Sequence, residues 1–285
     1  MYDLGKYIRT VRKSKGLTLK ELGEGIVSST FLSKFERGQF SITADKFLSL
    51  LARLNIGPYE FYNDFLALYK KNQHHFIERL NKAKREKNIH LVQQLINQEQ
   101  ADYKKDGHYR HLHNIIILKQ LANQLINLDF DQKQIQQIVK YLSHIDEWTS
   151  YEIDLLTNAA FCLSADQLSF FANQFFRKMK DHSYNDVYNQ KIYHFMINMI
   201  NRFIELGDFY HAKQYTDKLE EKLLGTRYFY EINLVKYLHG LIAIKEGNID
   251  EGKAMTKEAI ELMNYFNHFE MTKYCQKKVN RILNE

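Results

Sequence analysis

One proline, Pro58, stands in the whole chain of 285 residues, and the 12 glycines are scattered along it. Proline and glycine are the residues that interrupt helices, so nearly every stretch of this chain is free to be helical. Leu, Ile, Lys, Gln and Glu are abundant and favour the same state. Hydrophobic residues make up 45% of the chain, enough for a real core and too many for a disordered polymer. At roughly 100–200 residues per domain, the length suits two domains, or a small domain ahead of a repeat array. An all-α protein is the expectation.

Residues 1–65 read as five short helices. Leu4, Tyr7, Ile8 and Val11 mark one helical face, and Lys15-Gly16 closes that helix. Thr18 followed by Glu21 is a capping box that starts a second helix, broken by Gly23 and Gly25. Ser28 caps a third, Ser29 to Arg37, ended by Gly38, with Leu32 and Phe35 facing inward. Thr43 caps a fourth, in which Phe47, Leu50, Leu51 and Leu54 form the apolar stripe. Pro58 occupies a first-turn position of a fifth. The net charge is +6, shared equally between residues 1–65 and 66–285, so its density is highest at the start. There Lys6, Arg9, Arg12, Lys13, Lys15 and Lys20 face only Asp3. A basic patch on short helices suits an anionic partner such as nucleic acid, although charge by itself also describes a solvated helix face.

The glycine turn between the second and third helices describes a helix-turn-helix domain. The segment LTLKELGEGIVSSTFLSKFERG, Leu17 to Gly38, resembles the phage-repressor type, and Ser33 to Gly38 fits its Ser-Lys-hydrophobic-Glu-Arg-Gly ending. It departs in two places. The turn is one residue short, and Leu19 stands where many relatives carry a DNA-contacting glutamine. The resemblance implies that the third helix enters the major groove of double-stranded DNA, with Ser29, Thr30 and Lys34 reading base edges. Arg12, Lys13, Lys20 and Arg37 become candidates for phosphate contacts. Phe31 is open between a thymine methyl and the core.

Residues 66–285 repeat. Glu205-Leu206-Gly207-Asp208-Phe209 is echoed by Lys245-Glu246-Gly247-Asn248-Ile249, and Asn88-Ile89 lies three steps before Asp208 at a period near 40. Each unit is a pair of amphipathic helices around a Gly-Asp or Gly-Asn turn. First helices are expected near 109–127, 150–163, 186–206, 228–246 and 269–283. Second helices are expected near 89–105, 131–147, 166–181, 209–224 and 249–266. A single pair cannot bury its apolar face, so neighbours must stack. The turns resemble tetratricopeptide repeats, though the period is longer, which implies a right-handed superhelix with a concave surface lined by the first helices.

The whole arrangement resembles the Rgg family of regulators. KYIRTVRKSKGLTLKEL and FLSKFERGQFSITADKFLSLLARL carry the likeness, with the shortened turn and the stretch Glu147-Trp148-Thr149-Ser150-Tyr151-Glu152-Ile153. That resemblance implies a homodimeric, cytoplasmic transcription regulator that receives a short hydrophobic signalling peptide in quorum sensing. Asparagine side chains offer both a donor and an acceptor to a peptide backbone. Asn158, Asn198 and Asn201 on first helices, with Tyr237 on the next, are the candidate peptide contacts. The same residues also read as ordinary helix-packing polar groups. Two rivals stay open: a ligand-independent regulator using the repeats for dimerisation, and a protein scaffold that does not bind DNA.

Enzyme chemistry has no foothold in the sequence. No phosphate loop, nucleophile elbow or H-E-x-x-H motif occurs, and Gly5, Gly16, Gly23 and Gly25 form no dinucleotide loop. His108, His111 and His113 cluster without ligand spacing, so neither a metal nor a cofactor is expected. Cys162 and Cys275 match no metal or redox spacing and suit a reducing compartment. Apolar runs such as Ile115 to Leu118 are too short to span a membrane, and no secretory h-region opens the chain.

Overall fold

The computed structural model describes residues 4–69, 73–178 and 186–284, with side chains described outside 65–75 and 176–188. All regular structure among the described residues is helical. None of the described helices is long and apolar enough to cross a membrane. The chain divides into two compact units, Met1–Lys82 and Ala83–Glu285. The expected boundary at 65/66 falls inside the first of these.

In the first unit, α1 (Leu4–Ser14), α2 (Leu19–Gly23), α3 (Ser29–Glu36), α4 (Ala44–Arg53) and α5 (Pro58–Tyr69) follow one another. They enclose a core of Ile8, Leu22, Leu32, Phe35, Phe47, Leu50, Leu51 and Leu54. Helix α1 lies directly on the backbone of α3 at Gly5. A Cβ there would stand 1.9 Å from the Phe35 carbonyl oxygen, so only glycine permits this approach. Helix α5 docks through Phe61, whose ring meets Tyr7 and Phe47 edge-on at 5.1 and 5.0 Å. The Tyr7 hydroxyl also donates to Asp64 Oδ2 at 3.0 Å. A further helix, α6 (Gln73–Glu86), runs through the junction between the units.

The second unit continues with α7 (Ile89–Asp106), α8 (Tyr109–Leu125), α9 (Gln132–His144) and α10 (Ser150–Ala159), the last prolonged by a 3-10 turn, Ala160–Cys162. Then come α11 (Ala165–Lys178), α12 (Asp186–Glu205), α13 (Phe209–Leu223), α14 (Phe229–Lys245), α15 (Ile249–Tyr265) and α16 (Phe269–Asn284). The expected first helices correspond to α8, α10, α12, α14 and α16, and the second helices to α7, α9, α11, α13 and α15. The end expected for α11 at 181 lies outside the described residues. The period is written in the backbone. Left-handed residues close the first helix of a pair at Lys87, Asn127, Gly207 and Gly247. Just after them Asn88, Asp131 and Asp208 cap the next helix through their side-chain oxygens.

Pairs pack by small residues as well as large ones. Where α14 crosses α15, a Cβ at Gly252 would lie 2.5 Å from the Gly240 carbonyl oxygen and 2.7 Å from Ile244 Cγ1. A Gly252→Ala change gains about 1 kcal/mol in helix propensity. Overpacking a tight contact costs about 1–3 kcal/mol, and here backbone faces backbone, so the clash outweighs the gain. Gly252→Ala is therefore expected to lower the urea midpoint of the repeat unit, and an unchanged or raised midpoint would contradict the close crossing.

A titration is built into the same unit. His113 on α8 is buried, with Nδ1 2.7 Å from the Tyr151 hydroxyl. Burial pushes its pKa down to about 4, against a smaller upward pull from Glu152. The unfolded chain accepts a proton near the ordinary histidine value, whereas the folded unit refuses it until about pH 4. Stability contributed by the neutral ring is therefore present above the unfolded value and lost as pH falls through this window. Urea titrations at pH 7 and pH 5 should show His113→Gln losing less stability on acidification than the parent. Parallel losses would sink the assignment.

Candidate functional site

The helix-turn-helix geometry follows from local hydrogen bonds. Thr18 Oγ1 accepts from the Glu21 amide at 3.2 Å and the Glu21 carboxylate accepts from the Thr18 amide at 2.7 Å, the reciprocal cap expected of this pair. Gly25 turns the chain in the left-handed region, at φ 69°. Ser28 then accepts from the Phe31 amide at 3.1 Å and starts α3. Arg53, at the end of α4, donates to the Leu22 carbonyl at 3.3 Å and to the Glu24 carbonyl, pinning the turn from outside. With Leu32, Phe35 and Glu36 buried, α3 presents Ser29 and Thr30 to solvent at its N-terminal end.

Lys34 is half-buried, with its ammonium 4.9 Å from the centre of the Phe40 ring. Phe40 in turn packs on Phe31 at 5.7 Å, and Phe31 leans against the core. The ring thus limits where Lys34 can swing. Lys13, Lys20 and Arg37 are exposed, and Arg37 Nε donates to the Ser33 carbonyl at 3.2 Å.

Arg12 is in a different situation from the phosphate-contact role expected of it. It shares the buried stripe of α1 with Gly5 and Ile8. Its Nε and terminal nitrogen donate to the two Glu36 oxygens at 2.6 and 2.8 Å, and its other terminal nitrogen donates to the Leu17 carbonyl at 2.7 Å. A guanidinium held by three internal bonds, with its side chain 10% exposed, is structural. Glu36 and Arg53 were absent from the sequence expectations, since their partners lie 24 and 29–31 residues away.

In the repeat unit, Asn158 on α10 and Asn198 and Asn201 on α12 stand on adjacent first helices. Asn158 and Asn201 are half-buried, and each donates to a carbonyl one turn back in its own helix, Asp154 at 2.8 Å and Ile197 at 2.9 Å. Asn198 is exposed and reaches across to the Thr157 carbonyl at 3.3 Å. Asn201 Oδ1 accepts from Lys278 Nζ at 2.6 Å. Tyr237 departs from its expected place in the groove. It is buried, and its hydroxyl donates to the Cys275 carbonyl on α16 at 3.1 Å, so it belongs to helix packing.

The histidines behave as packing groups. His111 is buried against Glu99 and Asp106, at 2.7 and 3.3 Å. At the surface, Asp217, Glu220 and His239 bring ligand atoms within 4.8 Å of one another, but the His239 Nε2 contact with Glu220 at 3.1 Å is that of an ordinary ion pair.

A family model for the C-terminal domain of HTH-type transcriptional regulator Rgg matches residues 92–277, and a helix-turn-helix model matches residues 8–61. The chain belongs to the Rgg family of HTH-type transcriptional regulators. Its fold is shared by a solved protein from Listeria monocytogenes EGD-e, with 20% identity, a TM-score of 0.82, and 99% of this chain and 98% of that one covered. The SHP pheromone receptor Rgg2 of Streptococcus dysgalactiae aligns at 22% identity and a TM-score of 0.76, over 98% and 99% of the two chains. PrgX, in its complex with iCF10, aligns at 16% identity and 0.75, over 99% and 96%.

Removing one partner of a buried ion pair leaves the other charge without compensation, at about 3–5 kcal/mol. Arg12→Ala should therefore unfold the first unit at a markedly lower temperature in a calorimetric scan. The double change Arg12→Met with Glu36→Leu should recover most of that loss. If Arg12→Ala melted like the parent while losing DNA affinity, the structural assignment would be wrong.

Proposed function

We propose that this regulator is a homodimer that reads a palindromic promoter site with α3 and is controlled by a short hydrophobic peptide held against the first helices of its repeat unit. The observation that carries the reading is the pairing of two surfaces in one chain. An exposed α3 N-terminus sits beside a cation steered by Phe40, and Asn158, Asn198 and Asn201 are grouped on α10 and α12. Ser29, Thr30 and Lys34 are the base readers in this proposal, while Lys13, Lys20 and Arg37 hold phosphates.

Dimerisation follows from contact number. One short recognition helix touches too few bases for a specific site, whereas two readers a helical turn apart touch twice as many. Rgg2 is named as a pheromone receptor, and PrgX was solved with a bound peptide, which supports a peptide as the ligand class. The asparagines already bond to helix carbonyls, and a peptide backbone offers the same kind of partner. Exchange between the two costs little desolvation. Binding then shifts the regulator between states only as far as the peptide prefers one of them.

Fluorescence anisotropy of a duplex from the gene's upstream region, against a scrambled duplex across a salt series, tests the DNA half. Lys34→Ala should weaken specific binding by about 1–3 kcal/mol and narrow the gap between the duplexes. Lys13→Ala should weaken both duplexes alike and lower the salt slope by about one. Unchanged affinity and selectivity in Lys34→Ala would remove α3 from the groove.

A further inference from the structure

Four first helices of the repeat unit, α8, α12, α14 and α16, contribute to one open cavity of about 410 Å³. Gln124, Glu205, Lys245, Lys278 and Arg281 supply its polar lining. Three of these are cations and one is a carboxylate. That carboxylate is divided: Glu205 lies 3.5 Å from Arg202 and 4.0 Å from Lys278.

Lys278 is the unusual member. Its side chain is 5% exposed, a rare condition for lysine unless it is paired. An ammonium has three donors. Here the short bond goes to a neutral acceptor, Asn201 Oδ1 at 2.6 Å, and the carboxylate stands off at 4.0 Å. Burial pulls the Lys278 pKa down, with a contribution from the charge of Arg281, and Glu205 pulls it back up. A methionine or leucine would fill the same volume without the desolvation cost. Positive charge in this cavity therefore exceeds what the surrounding residues compensate, and a low-dielectric wall strengthens its reach.

We propose that the cavity anchors a carboxylate of the peptide, at its C-terminus or on an acidic side chain, with Lys278 and Arg281 taking the charge; this rests on the peptide-receptor reading above. The Lys278–Asn201 bond joins the anchor to the asparagines on α10 and α12, so the ligand's charged group and its backbone are held by connected residues. The remaining lining includes Phe209 and Ile282, which suit a hydrophobic neighbour of the charged group.

The test uses full-length protein and two degenerate pools of short hydrophobic peptides, identical except for a free acid or an amide at the C-terminus. Retained peptides are quantified by mass spectrometry. Retention of the acid pool alone supports a terminal carboxylate. Retention from both pools restricted to Asp- or Glu-bearing members supports an acidic side chain. Either preference should fall about tenfold or more in Lys278→Met, as expected when a charge-assisted bond is lost, and Lys278→Arg should restore part of it. Arg281, on the exposed side of α16, gives a second variant with less risk to folding, and Arg281→Gln should also weaken the preference. Equal retention of neutral amides by the parent protein overturns the anchor and leaves the peptide reading intact. So does a preference that survives in both variants. No retention of any peptide overturns the receptor reading and the anchor with it.

Discussion

The repeat unit depends on helices that have almost no solvent side. Helix α14 buries Leu234, Val235, Tyr237, Leu238, Leu241, Ile242 and Ile244, together with Glu231, Asn233 and Gly240, and these positions run around its whole circumference. Such a helix is stable only when others enclose it. Helix α15 lies close enough for Gly240 and Gly252 to meet backbone to backbone, α13 covers another side, and Tyr237 ties the helix to α16. Polar groups inside this packing are bonded, as when Asn233 donates to the Ala259 carbonyl at 2.9 Å. A helix pair cut from the stack would expose these surfaces, which is why the unit exists as an array.

Buried charge separates scaffold from function in both units. Arg12 has a two-point carboxylate partner and a carbonyl, so its charge is answered from within and its task is to tie α1 to α3. His111 lies against two carboxylates in the same way. Lys278 is answered by an amide oxygen and a distant, shared carboxylate. Burial alone says little about function. The useful distinction is whether the neighbours compensate the charge they surround.

The sequence exposed the architecture because turns and caps are local. Gly207-Asp208 and Gly247-Asn248 combine a left-handed residue with a helix start, and a period near 40 can be counted from them. Helix α6 was missed because neither end carries such a signal. Gln73 is no cap, and the left-handed position that closes the helix is filled by Lys87, where glycine or asparagine is the usual choice. Site residues were harder to read for a different reason. Arg12 lies one turn from Ile8 and so on the buried face, yet its charge suggested solvent, and only Glu36, far along the chain, resolves the conflict. Tyr237 sits on a helix buried all round, so helical phase could not tell groove from packing. Lys278 drew no attention among forty basic residues, because its partner Asn201 is 77 positions away.

That long separation bears on how the stack can respond to a ligand. Stacked repeats mostly touch their neighbours, so the curvature of the array is set by many small, local interfaces. The cavity between α8, α12, α14 and α16 is different, because its walls come from turns of the array that are far apart in sequence. A molecule that contacts Gln124 and Arg281 together acts on the spacing of non-neighbouring helices, where the intrinsic restraint is weakest. The Lys278–Asn201 bond already spans part of that distance. A ligand that engages Lys278 works on a bond between α12 and α16, and its effect on the array equals the difference in its affinity for the two arrangements of those helices.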